Sequence, residues 1–205
     1  MRLESVETFA RRLGALGALA FVILAFLGLW QSRGRRWGQE SGAVAGVQRG
    51  LSTRLLIPVT LPALAILVRL WRPIPIDLPR PARALALALG SLLYFAGLGL
   101  MIWGRLTLGR SYGVTSAVSA QLYADHDLVT AGPFAYTRNP MYVGGQLAEI
   151  GALLLYRTWT TALACVNAPV LPLRARREEE ALQREFGPAY DEYAARVPFW
   201  WPRVG

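Results

Sequence analysis

The sequence predicts an all-α protein, an integral-membrane bundle of about five transmembrane helices followed by an amphipathic helix on the cytoplasmic side. Its 205 residues are 54% hydrophobic and only 17% charged, whereas soluble domains contain about 25% charged residues. Five apolar runs are candidates for helices that cross a bilayer, which takes about 20 residues. All 22 basic residues are arginines, and most of them flank these runs, as is typical of membrane edges.

The first apolar run contains 20 uncharged residues, 13–32. As a helix it is about 30 Å long, which matches the hydrocarbon core of a bilayer. A cleaved signal peptide is the alternative, with the small residues 43–45 as a cleavage site. The stretch between the run and that site is long and contains three arginines, which favours an uncleaved transmembrane helix.

The second and third apolar runs differ in how well they fit a transmembrane helix. Residues 51–70 form the weaker run, because two arginines limit its uncharged centre to 14 residues and must extend toward the headgroups if the segment spans a bilayer. Two prolines should kink this segment. Residues 84–104 are 21 uncharged residues with Trp103 near their end, a position typical of aromatics at a membrane interface.

The fourth and fifth runs, residues 141–156 and 158–173, are separated by Arg157 and predict a helical hairpin. We therefore expect a single membrane domain over residues 1–205. Its parts are three spans in residues 1–103, a polar loop in 104–140, the hairpin in 141–173 and tail helices in 174–205.

The arginines also predict the orientation of the chain. The segments that would share a side with the C-terminal tail contain 13 arginines, and the opposite segments contain eight. Because cytoplasmic loops are enriched in positive residues, we place the tail in the cytoplasm. Arginine without lysine is typical of a GC-rich bacterial genome, so we expect the bacterial inner membrane, with the lipid bilayer as a partner.

The tail itself predicts two short helices. Glu178, Leu182 and Phe186 recur every four residues and would share one face of an amphipathic helix. Gly187 is typical of a helix end, and Pro188 suits the first position of the next helix. Pro198 would stop that second helix.

Several kinds of chemistry are not favoured. A single cysteine, Cys165, cannot form an intrachain disulfide, and a single histidine, His126, cannot build a histidine-based metal site or catalytic triad alone. No metal site is predicted. The net charge is +9, but the arginines are dispersed between apolar runs, so no nucleic-acid partner is expected.

Two places in the chain favour a functional site. Glu149 lies within the fourth apolar run, where an ionisable group is costly and marks either a functional site or a packing partner. Both interpretations stay open. The preceding loop carries Arg138 and Asn139, and the helix that starts at Pro140 points its free amides and positive dipole end at them. An anionic group would be stabilised there.

Three motifs follow one another in the second half of the chain. They are Gly132-Pro133-Phe134, then Arg138-Asn139-Pro140-Met141-Tyr142-Val143-Gly144, then Glu178-Glu179 followed by Leu182, Phe186-Gly187, Tyr190 and Tyr193. With this order and spacing, the chain resembles the isoprenylcysteine carboxyl methyltransferase and phospholipid methyltransferase superfamily of integral-membrane enzymes. The resemblance covers roughly residues 106–202. Asn139 stands where the family often has histidine.

The resemblance implies an enzyme that uses S-adenosylmethionine. The residues implied to bind this cofactor are His126, Leu128, Val129, Gly132, Tyr136, Arg138, Asn139, Pro140, Tyr142, Gly144, Glu178 and Glu179. Arg138 and the amides after Pro140 would bind the carboxylate, and the two glutamates would bind the ammonium group or the ribose. Four residues would line the adenine, namely His126, Leu128, Val129 and Tyr136.

The acceptor of the methyl group is less defined. Arg196 is the catalytic candidate that would orient a carboxylate acceptor, and Glu149 is the second catalytic candidate. Methyl transfer needs an in-line nucleophile about 3 Å from the methyl carbon, so the lack of a histidine base is compatible with this chemistry. We expect a lipophilic, thiol or carboxylate small molecule as acceptor.

Two alternatives to this enzyme stay open. One is a non-catalytic membrane scaffold, and the other is an NADPH-dependent membrane reductase of related topology. The oligomeric state is also open, because Gly14 and Ala18 form a pair of small residues that could pack helices within one chain or between two.

Overall fold

The computed structural model describes residues 3–31, 62, 64–111, 127–166 and 168–201. These residues include six helices labelled α1 to α6, a short helical segment over residues 64–69, and two short 3-10 turns at Gly109–Ser111 and Gly132–Ala135. Within these ranges no strand is found, which confirms the all-α prediction. The helices are α1 (Leu3–Gln31), α2 (Arg80–Leu108), α3 (Pro140–Tyr156), α4 (Trp159–Val166), α5 (Val170–Phe186) and α6 (Pro188–Arg196).

Two of the described helices are long and apolar enough to cross a membrane, over Leu3–Leu27 and Arg80–Leu108. They correspond to the first and third predicted spans. Only 11% and 28% of the residues in their most apolar stretches are buried in the protein. Because a soluble protein rarely exposes apolar surface of this extent, the two helices indicate a membrane protein.

The prediction of five spanning helices is not reproduced. Much of the second run, residues 51–61, lies outside the described residues, and its end is helical over residues 64–69. The fifth run, 158–173, was expected to be one helix and is divided instead. Helix α4 ends at Val166 and α5 begins at Val170, because Pro169 between them lacks the N–H that would continue a helix.

Close contact of the helix backbones positions α2 against α3. Glycines recur every seventh residue on both helices, and the pairs run antiparallel. A Cβ added at Gly90 would lie 2.9 Å from the Leu155 nitrogen, and one at Gly144 would lie 2.7 Å from the Gly97 carbonyl oxygen. Side chains larger than hydrogen would therefore force these helices apart. The glycines are Gly90, Gly97 and Gly104 on α2 with Gly144 and Gly151 on α3.

Helix α1 packs beside this pair and runs parallel to α2. The Tyr94 hydroxyl donates to the Gly14 carbonyl at 3.1 Å, and the Tyr156 hydroxyl donates to the Arg11 carbonyl at 2.8 Å. Gly14 thus serves packing within one chain. The core of this bundle consists of Ala10, Leu87, Tyr94, Leu98, Ala148 and Leu155.

Helices α5 and α6 fold back over the start of α3. Helix α5 begins at Val170, four residues earlier than the predicted tail, and ends at Phe186. Gly187 follows with φ of 50°, a left-handed conformation that glycine adopts readily, and α6 starts at Pro188, as predicted. The segment after α6 then lies against the residues that precede α3, since the Arg138 amide donates to the Pro198 carbonyl at 3.0 Å.

Candidate functional site

An ion pair at the start of α3 joins two of the sequence motifs. The Arg138 Nε lies 2.9 Å from the Glu179 Oε1, and the two side chains are only 16% and 17% exposed. The Arg138 Nη1 also donates to the Ala194 carbonyl at 3.1 Å. Arg138 therefore connects α3 to both C-terminal helices, and its charge is balanced by the Glu179 carboxylate.

Asn139 completes this arrangement through both hydrogens of its amide group. Its Nδ2 donates to the Glu179 Oε1 at 3.0 Å and to the Phe199 carbonyl at 2.9 Å, and the residue is buried. A neutral imidazole has one N–H donor, whereas the asparagine amide has two. Asn139, which stands where the family often has histidine, therefore satisfies two acceptors, the Glu179 carboxylate and the Phe199 carbonyl.

A second set of polar contacts lies between α3 and α5. The Tyr142 hydroxyl donates to the Glu178 carboxylate, and the Tyr142 ring stacks on Trp200 with centroids 6.4 Å apart. Gln146, one turn further along α3, accepts from the Trp200 Nε1 at 3.0 Å and donates to the Ala168 carbonyl at 2.9 Å. This amide satisfies a carbonyl at the break between α4 and α5.

Gln146 and Trp200 were not among the predicted site residues. Gln146 follows Tyr142 by four residues, so the two share a helix face, and that spacing was the available signal. Trp200 gave no such signal, because its contact with Gln146 joins positions 54 residues apart.

Arg174 is a further cation on this side of α5. It lies one turn before Glu178 and one turn after Leu171, and the side chain of Leu171 faces Gly145 of α3. The Nε of Arg174 is inaccessible to solvent and has no hydrogen-bond partner in the described part of the chain. Arg174 as a whole is half-buried, and a guanidinium with an unused donor is suited to an anionic ligand.

Two buried tyrosines of α6 lie near the Arg138–Glu179 pair. The Tyr193 hydroxyl donates to the Phe134 carbonyl at 2.8 Å. Burial, the largest cause, raises the pKa of Tyr193 to about 12, while Arg138 lowers it and Glu179 raises it. Burial and the Glu179 charge likewise raise the pKa of Tyr190. Both phenols therefore stay protonated at neutral pH and are not available as bases.

Two of the predicted loop residues, Gly132 and Tyr136, lie near the C-terminal end of α2. Gly132 has φ of 61°, and a Cβ there would lie 2.8 Å from the Thr107 hydroxyl of α2. Tyr136 is exposed and its ring lies 6.4 Å from that of Trp103. Leu128 and Val129 are half-buried, and His126 lies outside the described residues.

Pro140 and Gly144 face α2. Pro140 is fully buried, and its ring is near Gly104. Gly144 is buried where α2 and α3 are in backbone contact. Helix initiation and packing account for these two residue types, and their predicted contact with a cofactor stays a prediction.

The two catalytic candidates are not part of the Arg138–Glu179 cluster. Arg196 has a side chain that is 70% exposed and 3.6 Å from the Glu192 carboxylate. Glu149 lies seven residues after Tyr142, about 10 Å along α3. Its Oε2 is inaccessible and makes no hydrogen bond with the described residues, while its backbone carbonyl accepts from the Cys165 thiol at 3.4 Å.

The fold and the contacts together describe a helical membrane protein with a cluster of charged and polar side chains at one end of its bundle. Residues 85–189, half of the chain, match the family model described as phospholipid methyltransferase. The chain belongs to this family, which confirms the resemblance inferred from its motifs.

Several curated relatives are 34% identical to the chain over part of its length. The nickel-cobalt-cadmium resistance protein NccN of Alcaligenes xylosoxydans xylosoxydans matches over 109 residues, 48% of this chain and 50% of the relative. A protein-S-isoprenylcysteine O-methyltransferase of Schizosaccharomyces pombe matches over 83 residues, 40% of this chain and 35% of the relative. Protein-S-isoprenylcysteine O-methyltransferase B of Arabidopsis thaliana matches over 95 residues, 45% of this chain and 47% of the relative. The chain thus spans half or less of each relative.

Proposed function

We propose that this protein is an S-adenosylmethionine-dependent methyltransferase that acts at the membrane on a lipophilic, thiol or carboxylate small molecule. The observation that carries the proposal is the cluster of Arg138, Asn139 and Glu179, which brings the two family motifs into direct contact. Membership of the phospholipid methyltransferase family supports the same chemistry.

The residues of the cluster fit the chemical groups of this cofactor. S-adenosylmethionine carries a carboxylate, an ammonium group, ribose hydroxyls and an adenine. When bound, it supplies a methyl group on a cationic sulfur that an in-line nucleophile can take without a strong general base. Glu178 and Glu179 provide carboxylates for the ammonium group or the ribose, as the resemblance implies.

The carboxylate of the cofactor needs a cation that is not already neutralised. Arg138 is paired with Glu179 at 2.9 Å, so we assign it mainly to the positioning of that glutamate. The Nε of Arg174 has no hydrogen-bond partner among the described residues, so we assign the cofactor's carboxylate to Arg174. The aromatic residues Tyr136 and Trp103 contact each other and are both exposed, so their rings are suited to contact an adenine ring.

Glu149 is proposed as the residue on the acceptor side of the site. It lies further along α3 than Tyr142, toward α4, and its carboxylate oxygen Oε2 is buried without a hydrogen bond to a described residue. Such a group can accept a hydrogen bond from an acceptor molecule. Arg196 stays the candidate for a carboxylate acceptor, because its guanidinium is exposed and is held only by Glu192 of the same helix turn among the contacts described, at 3.6 Å from the carboxylate and 3.3 Å from the backbone carbonyl.

The proposed location is the bacterial inner membrane, with the site and the C-terminal helices in the cytoplasm. The greater number of arginines in the segments on the tail side, 13 against eight, supports this orientation.

Calorimetric titration of the detergent-purified chain with S-adenosylhomocysteine tests the proposal. We expect micromolar binding that is lost in Arg174→Gln and Glu179→Gln. Arg184→Gln is the matched control, since Arg184 is exposed on the same helix, and it should bind like the unmodified protein. Absence of binding by folded protein would contradict the proposal and leave a scaffold, and binding of NADPH instead would indicate a reductase.

A further inference from the structure

A buried carboxylate with three arginines lies at the end of the bundle opposite the proposed cofactor site. Glu7 of α1 is only 2% exposed. Arg83 of α2 donates to its Oε2 through Nε at 2.8 Å and Nη2 at 2.5 Å. On the other oxygen, Arg157 contacts Oε1 and the Arg11 Nη2 lies 2.6 Å away. This group, the Glu7 cluster, contains three positive charges and one negative charge.

The excess positive charge of the Glu7 cluster reaches the surface. The side chains of Arg11 and Arg83 are each 36% exposed and that of Arg157 is 22% exposed, whereas Glu7 is 3% exposed at its side chain. The Nη1 of Arg157 is inaccessible and has no hydrogen-bond partner within the described ranges. Because this atom is buried and Arg11 also donates to the Leu155 and Tyr156 carbonyls, a second anion would meet the exposed parts of the Arg83 and Arg157 side chains.

The backbone conformation of Arg157 is energetically unfavourable, and the Glu7 cluster forms in spite of it. Arg157 follows α3 with φ of 52° and ψ of 49°, a left-handed conformation that costs a residue with a Cβ about 1–2 kcal/mol. This conformation places its guanidinium on Glu7. Such strained residues are concentrated at ligand sites and switch regions.

The Glu7 cluster also lies at the level where the apolar runs begin or end. The uncharged run of α1 starts after Arg12, that of α2 starts after Arg83, and the apolar run of α3 ends before Arg157. The rings of Trp71 and Tyr156 are in contact here with centroids 5.4 Å apart. Aromatic residues and arginines at the ends of apolar helices mark the depth of the lipid headgroups.

From this geometry we propose that the Glu7 cluster binds the phosphate of an anionic phospholipid headgroup. A phosphodiester carries one negative charge and accepts paired hydrogen bonds from guanidinium groups. It would offset part of the excess charge and bond the donors that Glu7 does not use. The acyl chains of the lipid would lie along the exposed apolar faces of α1 and α2.

Native mass spectrometry of the whole chain in neutral detergent tests this site, with phosphatidylglycerol, phosphatidylcholine and inorganic phosphate as probes. We expect phosphatidylglycerol to bind roughly tenfold tighter than phosphatidylcholine, because only its headgroup carries a net negative charge. Arg157→Gln should reduce that affinity roughly tenfold. The matched control is Arg12→Gln, which removes the same charge from an exposed neighbour of Arg11 and should leave the affinity unchanged.

Glu7→Gln should change the affinity for phosphatidylglycerol in the opposite direction. It removes the anion that competes for the three arginines, so the affinity for phosphatidylglycerol should rise several-fold. If Arg157→Gln does not fold, Arg83→Gln takes its place, because it removes a more exposed arginine from the same carboxylate. Equal binding of the two lipids, an equal loss in Arg12→Gln, or displacement of the lipid by inorganic phosphate would overturn the proposal.

Discussion

The two ends of the bundle place charged side chains from several helices in contact, but they balance the charges differently. At the cofactor end, the Arg138 charge is matched by Glu179, and Asn139 adds neutral donors. At the opposite end, three arginines share the single carboxylate of Glu7. A balanced pair is suited to holding carboxylates in a fixed position, whereas an excess of arginine is suited to a second anion. We therefore expect the first end to position Glu179 and the second end to bind an anion.

The largest expected effect is that of Glu7→Ala at the arginine-rich end. This change leaves three partly buried guanidinium groups without their shared carboxylate, and breaking a buried ion pair costs about 3–5 kcal/mol. Thermal or chemical unfolding in neutral detergent measures the loss. Glu4→Ala is the control, because Glu4 is exposed on the same helix, and its effect should stay within about 0.5 kcal/mol. Equal stability of both variants would contradict a central role for Glu7.

The glycine contacts between α2 and α3 hold the two helices together. Disrupting them should give the second-largest loss of stability. A side chain at Gly97 would meet the backbone of α3 at Gly144 and Ala148, so Gly97→Val should destabilise the protein by about 3 kcal/mol through overpacking. Gly99→Ala is the matched control, since a Cβ at Gly99 meets nothing within 4 Å. A similar unfolding midpoint for the two variants would mean that the helices do not pack on this glycine seam.

At the cofactor end, Asn139→Ala should weaken the binding of S-adenosylhomocysteine about tenfold. The change removes the donors to Glu179 and the Phe199 carbonyl, and an unsatisfied buried acceptor costs roughly 1–3 kcal/mol. Calorimetric titration measures the affinity, and the unfolding midpoint shows how much of the effect is general destabilisation. Unchanged affinity would show that Asn139 does not position the glutamate.

The smallest effect is expected for Tyr193→Phe, which removes one hydrogen bond to the Phe134 carbonyl, worth about 1 kcal/mol. The fold raises the pKa of Tyr193 to about 12, above the ordinary value of about 10. The folded protein therefore binds this proton more tightly than the unfolded chain. Its contribution to stability is complete below pH of about 10 and is lost as pH rises through about 12.

Alkaline unfolding measures this dependence. The loss of stability between pH of about 10 and 12 should be shallower in Tyr193→Phe than in the unmodified protein. Tyr136→Phe serves as the control, because Tyr136 is exposed. An identical pH profile for the three proteins would contradict the role of the buried Tyr193 phenol.

Local features of the chain were well predicted. The apolar runs of α1 and α2, the helix end at Gly187 and the start of α6 at Pro188 were all predicted correctly. The membership of the family was predicted from short motifs. These features depend on hydropathy and on the backbone properties of glycine and proline, which act within a few residues of the chain.

The break in the fifth run was missed, although Pro169 was visible in the sequence. Prolines near the ends of membrane helices are tolerated where neighbouring groups satisfy the freed carbonyls. The Gln146 side chain satisfies the Ala168 carbonyl at 2.9 Å. That contact joins α3 to the turn before α5, and it depends on how the helices pack.

The sequence by itself determined where the two long apolar helices lie and that the protein belongs to a methyltransferase family. Only the tertiary structure decided that Arg138 is paired with Glu179, that the Nε of Arg174 has no hydrogen-bond partner among the described residues, and that Glu7 contacts arginines from α1, α2 and the end of α3. The physical reason is the sequence separation over which each property acts. Hydropathy and helix ends are properties of neighbouring residues, whereas the balance of charge at each end depends on contacts between residues as far as 150 positions apart.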